Sequence, residues 1–144
     1  MHLFKSILVV LIGLCFVVAC GNSHQKPTQL TYVKYVAHKR GDTAIVLLNQ
    51  SKEIFSGTLM INEHGVYRDS GTVKGLVKGD TLIGEYHFLH YKLEWKRKPV
   101  AFLIRDQRLV MGEGFTKITV GITQFYTAVP IDFDEGKQFV FIRD

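Results

Sequence analysis

The sequence has 144 residues, 47% of them hydrophobic, and its 18 Lys and Arg against 13 Asp and Glu give a net charge of +5. This composition is typical of one folded domain and excludes an intrinsically disordered chain. Removal of residues 1–19 would lower the charge to +4, because Lys5 is their only charged residue. So small an excess does not indicate a nucleic acid partner.

The N-terminal region has the pattern of a secretory signal peptide. Lys5 precedes 13 apolar or small residues, Ile7 to Ala19, without a charge. A membrane-spanning helix needs about 20 such residues, so a cleaved leader over residues 1–19 is the favoured interpretation. Cys15 belongs to the core of this leader.

The end of the leader carries a more specific pattern. Val17, Val18 and Ala19 before Cys20 resemble the lipobox of bacterial lipoproteins. The resemblance implies that Cys20 is acylated and becomes the first residue of the mature chain. Acyl chains on Cys20 would anchor the protein to a membrane without spanning it. The alternative is an uncleaved anchor in which Cys20 is a buried apolar residue.

Residues 20–29 are polar after Cys20 and are expected to form a flexible tether. In lipoproteins an Asp after the lipidated cysteine favours retention in the inner membrane, whereas this chain has Gly21. We therefore expect an outer-membrane protein that faces the periplasm. No cysteine follows Cys20, so the domain over residues 30–144 is expected to fold without a disulfide.

From Leu30 onward the sequence predicts short strands separated by turns, without a helical stripe. In one run Leu82, Gly84, Tyr86 and Phe88 alternate with Thr81, Ile83, Glu85 and His87, which predicts a strand with the first set facing the core. The turn "KGD" at 78–80 joins this run to an earlier alternating run, and residues 66–68 start a strand before it. The other predicted strands span residues 30–38, 43–49, 53–62, 99–105, 109–113, 117–122 and 138–142.

These patterns predict an all-β domain, either a small antiparallel meandering barrel or a strongly curled sheet of about eight to ten strands. Closure would remove exposed sheet edges. Pro99 and Pro130 are expected at strand ends. Four glycines within strands are expected to mark bulges or sharp bends: Gly57, Gly71, Gly75 and Gly84.

Two segments of the domain carry a family resemblance. "VKGDTLIGEYHF", followed by "PVAFLIRDQRLVMGEG", resembles the small Bacteroidota-type lipoproteins of unknown function. The resemblance covers roughly residues 55–144 and implies a lipobox followed by an all-β domain. It implies no catalytic residues.

Candidate metal ligands are few. Glu85 and His87 share a face, but alternation places His90 on the opposite face, and a metal site needs three or four converging ligands. "IDFDEG", with Asp132, Asp134 and Glu135, lacks the remaining ligands of a calcium loop. We therefore expect a charged turn there, and no metal, cofactor or catalytic set.

The strongest charge feature is the basic run "YKLEWKRKP" at residues 91–99. It is expected to be a solvated loop whose Trp95 packs on the barrel rim, or a contact with an anionic surface such as lipopolysaccharide or a membrane. The residues of that candidate contact are Lys92, Trp95, Lys96, Arg97 and Lys98.

Two classes of function remain after these exclusions. The first is a non-enzymatic envelope lipoprotein whose barrel binds a partner, such as another envelope protein; the second is a carrier of an apolar ligand inside the barrel. Aromatic side chains that fill the interior would leave no room for a ligand. The six expected there are Tyr35, Phe55, Tyr86, Phe88, Phe102 and Phe115. The sequence does not predict an oligomeric state.

Overall fold

A computed structural model describes residues 31–144 of the chain, and in this part the predicted all-β fold is confirmed. Ten strands form and no residue of the described part is helical. The strands are β1 (Val33–Lys39), β2 (Asp42–Gln50), β3 (Ile54–Glu63), β4 (Tyr67–Lys78), β5 (Thr81–His90), β6 (Glu94–Arg105), β7 (Arg108–Met111), β8 (Thr116–Thr119), β9 (Ile122–Phe125) and β10 (Val140–Arg143).

Eight of the strands form a closed antiparallel barrel, so the curled open sheet is not what forms. Around the barrel the order is β1-β10-β7-β6-β5-β4-β3-β2, and β8 and β9 form a separate two-stranded sheet. Consecutive strands pair from β1 to β7, as in a meander. β10 then closes the barrel by pairing with both β7 and β1.

Antiparallel order gives the barrel two different ends. The terminal end is where β1 begins and β10 ends, and there Lys34 pairs with Asp144. The mouth end carries the β1–β2, β3–β4 and β5–β6 turns. Because β7 ends and β10 begins there, residues 112–139 also leave and rejoin the barrel at the mouth end.

The interior of the barrel is filled by side chains, as its size requires. Phe55, Tyr86, Phe88 and Phe102 are buried, and Tyr35 packs against this core. The prediction was wrong for Phe115, which is 71% exposed next to β8. Phe141 completes the core instead and meets the Phe102 ring edge-on, with the ring centroids 5.8 Å apart.

The four strand glycines mark close approach of strands, without any bulge. Pairing of β3 with β4 and of β4 with β5 runs in unbroken register through Gly57, Gly71, Gly75 and Gly84. A Cβ on Gly84 would lie 2.0 Å from the carbonyl oxygen of Lys74. Since that oxygen belongs to the neighbouring backbone, only glycine fits at this bend of the barrel wall.

Three strand predictions need correction. The strand predicted over 117–122 is a hairpin, because Val120 and Gly121 both adopt positive φ, 50° and 75°, and reverse the chain between β8 and β9. The loop predicted over 91–99 is largely strand, since β6 begins at Glu94. Pro99 therefore lies within β6 and not at its start.

Pro99 is tolerated inside β6 because its nitrogen faces away from β5. Ala101, two residues later, directs its carbonyl to the Gly112 N–H on the other side. Residues two apart in a strand direct their backbone groups the same way, so the N–H missing from Pro99 would have faced a side that β7 does not reach.

Phe102→Ala should lower the free energy of unfolding by about 3–5 kcal/mol, because it removes a fully buried ring and leaves a cavity. Leu93→Ala is the matched control. Leu93 is 83% exposed, so we expect a change within about 0.5 kcal/mol. Urea unfolding monitored by circular dichroism measures both values. Equal losses for the two variants would contradict the assigned core.

Candidate functional site

A cavity opens at the mouth end because the barrel strands differ in length. β6 has 12 residues, whereas β7 and β10 have four each. The wall between β6 and β1 is thus incomplete at the mouth, and residues 112–139 fill it only in part. The remaining space, here called the mouth cavity, has a volume of about 370 Å³ and is lined by β1, β2, β3, β6, β7 and residues 112–139.

Two lysines enter the mouth cavity and lie over aromatic rings. Lys98 Nζ is 5.2 Å from the ring centroid of Phe88 and 5.7 Å from that of Tyr86. Lys39 Nζ is 5.5 Å from the Phe139 centroid and also donates to the Lys137 carbonyl. Within residues 31–144 neither lysine forms an ion pair with a carboxylate. Their ammonium groups are attracted by the ring faces and, for Lys39, by the Lys137 carbonyl.

Three carboxylates line the same cavity, and each accepts a hydrogen bond from a neutral donor. Asp42 accepts from the His64 backbone N–H at 2.9 Å. Glu113 accepts from the Gln138 side-chain amide at 3.0 Å. Glu63 accepts from the Tyr91 hydroxyl at 2.9 Å, a bond that raises the pKa of Tyr91. The cavity wall therefore carries both signs of charge.

A buried hydrogen-bonded pair, Asp69 and His90, lies beside the cavity on the inner face of the mouth. Asp69 is the one buried charged residue of the described part, and its Oδ1 is 2.8 Å from His90 Nδ1. The Tyr91 backbone N–H donates to the same oxygen at 3.3 Å. The Tyr91 ring stacks on His90 with centroids 3.7 Å apart. This packing fixes the β5–β6 turn, from which Tyr91 reaches Glu63.

Tyr86 links this end of the barrel to its core. Its hydroxyl donates to the Leu59 carbonyl at 3.0 Å from a fully buried position. Burial, with a smaller contribution from the Asp69 charge, raises the pKa of Tyr86 far above its usual value. The ring also stacks on Phe88 at a centroid distance of 4.4 Å. The two stacked rings thus form the surface over which the Lys98 ammonium group lies.

The five residues of the predicted anionic contact do not form one surface. Lys96 and Lys98 lie opposite Phe88 and Tyr86 and so share the inner face. Trp95 and Arg97 alternate with them on the outer face, where Trp95 packs against His87 at a centroid distance of 4.9 Å. Lys92 lies in the β5–β6 turn with a φ of 61°.

Part of the basic run lies along an open sheet edge. Ile104 donates its N–H to Asp80, so even-numbered residues of β6 bond toward β5. Odd-numbered residues bond the other way, and at Trp95, Arg97 and Pro99 no β7 residue lies opposite. Lys and Pro on such an edge disfavour pairing with the edge of another chain.

The candidate metal ligands stay apart, as the alternation predicted. Glu85 pairs on the outer wall with Lys74 and Arg97 at 3.3 and 3.5 Å, whereas His90 faces inward. In the part of the chain that the structure describes, no three His, Cys, Asp or Glu side chains are arranged to hold a metal ion.

The acidic segment at residues 131–136 folds as a charged turn. Asp134 accepts from the Gly136 N–H at 2.9 Å and lies 3.2 Å from Lys137 Nζ, and these contacts lower the pKa of Asp134. Glu135 binds Arg105 and Arg108. These acidic side chains are engaged within the protein.

A second depression, the outer groove, lies on the outside of the barrel and has a volume of about 740 Å³. The β8–β9 hairpin folds back over β6 and forms one side of it. Ile54 and Leu76, more than half exposed, form part of the opposite side. The wall of the outer groove is mainly apolar, unlike that of the mouth cavity.

Cys20 and the predicted signal peptide lie outside the described residues. Within residues 31–144 no helix is long and apolar enough to cross a membrane. Comparisons of the chain with protein-family models, with curated proteins and with solved structures gave no match. The fold and the mouth cavity define the described part as a small closed β-barrel with one polar, open end.

Sequence reasoning missed Lys39, Glu63 and Asp69 as residues of this end. Alternation contained a signal for two of them: Lys39 is two residues after buried Ala37, and Glu63 is two after Ile61. What the sequence lacked was the register that brings β1, β3 and β6 to one cavity.

Asp69→Ala should lower the free energy of unfolding by about 1–3 kcal/mol, because His90 Nδ1 loses its acceptor in a partly buried position, whereas the Tyr91 N–H keeps the Arg68 carbonyl at 3.1 Å. Asp80→Ala is the matched control, since Asp80 lies exposed in the β4–β5 turn and should change stability by less than about 0.5 kcal/mol. Thermal and urea unfolding measure the difference. A loss for Asp69→Ala no larger than for Asp80→Ala would contradict a structural role of the pair.

Proposed function

We propose that this protein is a bacterial envelope lipoprotein, anchored through lipidated Cys20, whose barrel is a non-enzymatic binding module. The leader over 1–19, the lipobox-like residues before Cys20 and the resemblance to small Bacteroidota-type lipoproteins support the anchor. The observation that carries the binding role is the mouth cavity, an open polar site on an otherwise filled barrel.

The placement of the two ends agrees with this proposal. Cys20 precedes Thr31 by eleven residues, which can span at most roughly 40 Å. The chain enters the barrel at the terminal end, so a membrane anchor at Cys20 would hold that end nearer the lipid. The mouth cavity would then face away from the bilayer, into the periplasm if the protein is in the outer membrane.

Two kinds of envelope partner are proposed for this module. An envelope protein could meet the mouth end. An anionic surface other than the anchoring bilayer could meet Lys92 and Trp95, which lie at or near the β5–β6 turn and are exposed. Lys96 and Arg97 belong less to such a contact, because Lys96 pairs with Glu94 at 2.8 Å and Arg97 with Glu85 at 3.5 Å. Nucleic acid is not among the proposed partners.

A second candidate function is that of a carrier for an apolar ligand. Because aromatic side chains fill the described interior, this ligand would have to lie outside the barrel. The outer groove has an apolar wall of suitable size, formed by residues such as Leu76, Ile83 and Ile122. The carrier site is therefore proposed in the outer groove, beside the β8–β9 hairpin, and not inside the barrel.

Native mass spectrometry of the purified protein tests the carrier function. A carrier should retain a lipid, and Leu76→Glu should remove it because a carboxylate would enter the apolar wall. Leu93→Glu is the control, since it makes the same substitution with the same change of charge at an 83% exposed residue of the β5–β6 turn, which does not line the groove. A wild-type spectrum without any added ligand mass would contradict the carrier and favour the binding module.

Cys20→Ser should abolish incorporation of labelled palmitate and leave the 1–19 leader attached, because serine offers no thiol for acylation. Cys15→Ser is the matched control: it removes the other thiol of the chain and should leave labelling unchanged. Labelling in cells, followed by intact-mass measurement, gives both results. Labelling that survives Cys20→Ser, or an unacylated wild type, would contradict the anchor.

A further inference from the structure

We propose that the mouth cavity binds a small zwitterion with an apolar body, such as a short peptide with free termini. The proposal names the ligand class of the binding module and so rests on that part of the proposed function. It is argued from the charges, the apolar wall and the access of the cavity, and it does not depend on acylation of Cys20.

The positive charges of the cavity are placed to receive an anionic group. Lys39 and Lys98 approach from opposite sides of the gap in the barrel wall, on β1 and on β6. Aromatic faces hold both ammonium groups, and no described carboxylate neutralises them. A carboxylate of the ligand would supply the charged acceptor that these donors lack.

The negative charges of the cavity wall disfavour a ligand whose only charge is negative. Asp42, Glu63 and Glu113 outnumber the two lysines in the same wall. Their hydrogen-bond donors are a backbone amide, a hydroxyl and a side-chain amide, none of which carries a charge. His64 Nδ1 also lies 3.6 Å from Asp42 Oδ1, whereas Glu63 and Glu113 form no ion pair within residues 31–144. A simple carboxylate would be repelled by these two charges, whereas a ligand that also carries an ammonium group would satisfy both signs.

The rest of the wall fits an apolar body between the two charged groups. Ile61, Met111 and Phe139 line the cavity and are partly or wholly buried in the barrel. A volume of about 370 Å³ lies at the small end of the range for ligand pockets. The cavity therefore suits a compact molecule, and amino acids or short peptides combine such a body with both charges.

A series of leucine dipeptides tests the proposal on the purified full chain in detergent. The four probes are Leu-Leu with free termini, its N-acetyl form, its C-terminal amide and the doubly blocked form. Isothermal titration calorimetry should give a Kd for the free dipeptide about tenfold or more below that of each blocked form, because each blocking group removes one charged contact.

Variants of the protein test which side chains contact each end of the peptide. Lys98→Met should weaken binding of the free and N-acetyl peptides about tenfold and leave the amide form unchanged. Glu63→Gln should do the reverse, weakening the free and amide forms. Lys96→Met is the matched control, since Lys96 is the next inward lysine of β6 but pairs with Glu94. Lys39→Met provides a second test should Lys98→Met fail to fold by circular dichroism.

Equal affinity for free and blocked peptides, no binding at millimolar concentration, or the same loss for Lys96→Met as for Lys98→Met would overturn the proposal. None of these results bears on lipid labelling of Cys20. A protein that is acylated but does not bind the peptides would refute the ligand class and leave the anchor in place.

Discussion

Closure of the barrel depends on two four-residue strands. β10 forms two residue pairs with β7 and two with β1, and these few pairs join the ends of a sheet whose other strands are mostly nine to twelve residues long. Without them, β1 and β6 would be exposed edges of an open sheet. Phe141, fully buried on β10, supplies the apolar contact that such short ladders need.

The same short strands create the polar end. β7 pairs only with the part of β6 nearer the terminal end. The wall is therefore incomplete at residues 94–100 of β6, which pair with β5 but have no strand on their other side. Segment 112–139 covers this gap from outside and leaves the mouth cavity. Interior residues change from aromatic to charged at this level, since Lys98 lies opposite Tyr86 and Asp69 lies beyond Phe88 toward the mouth. The aromatic core and the mouth cavity therefore occupy opposite ends of the same barrel interior.

Much of the fold could be predicted from alternation of apolar and polar residues. It gave the correct faces of β5, because Leu82, Tyr86 and Phe88 are strongly apolar and their neighbours Thr81, Glu85 and His87 are polar. It failed at the start of β6, where Glu94 to Lys98 have low strand propensity and are mostly charged on both faces. Backbone pairing with the well-formed β5 imposes the strand there against that propensity.

The hairpin and the site were harder to predict for different reasons. The β8–β9 turn needs a positive φ at Val120, a β-branched residue that rarely adopts it, so the sequence carries only Gly121 as a turn signal. The mouth cavity combines residues up to about a hundred positions apart, from Lys39 to Phe139. Their proximity follows from the closing pairs of β10, which local patterns do not contain.

In the basic run, successive side chains alternate between the two faces of β6 and so make different contacts. On the outer face Arg97 joins Lys74 around Glu85, and on the inner face Lys98 enters the cavity over aromatic rings. Pro99 follows on the open edge, where its missing N–H costs no hydrogen bond. An edge left bare by short neighbours needs protection from pairing with other chains, and charge together with proline provides it. The gap in the barrel wall therefore does not invite aggregation, because the residues that line its border discourage strand addition.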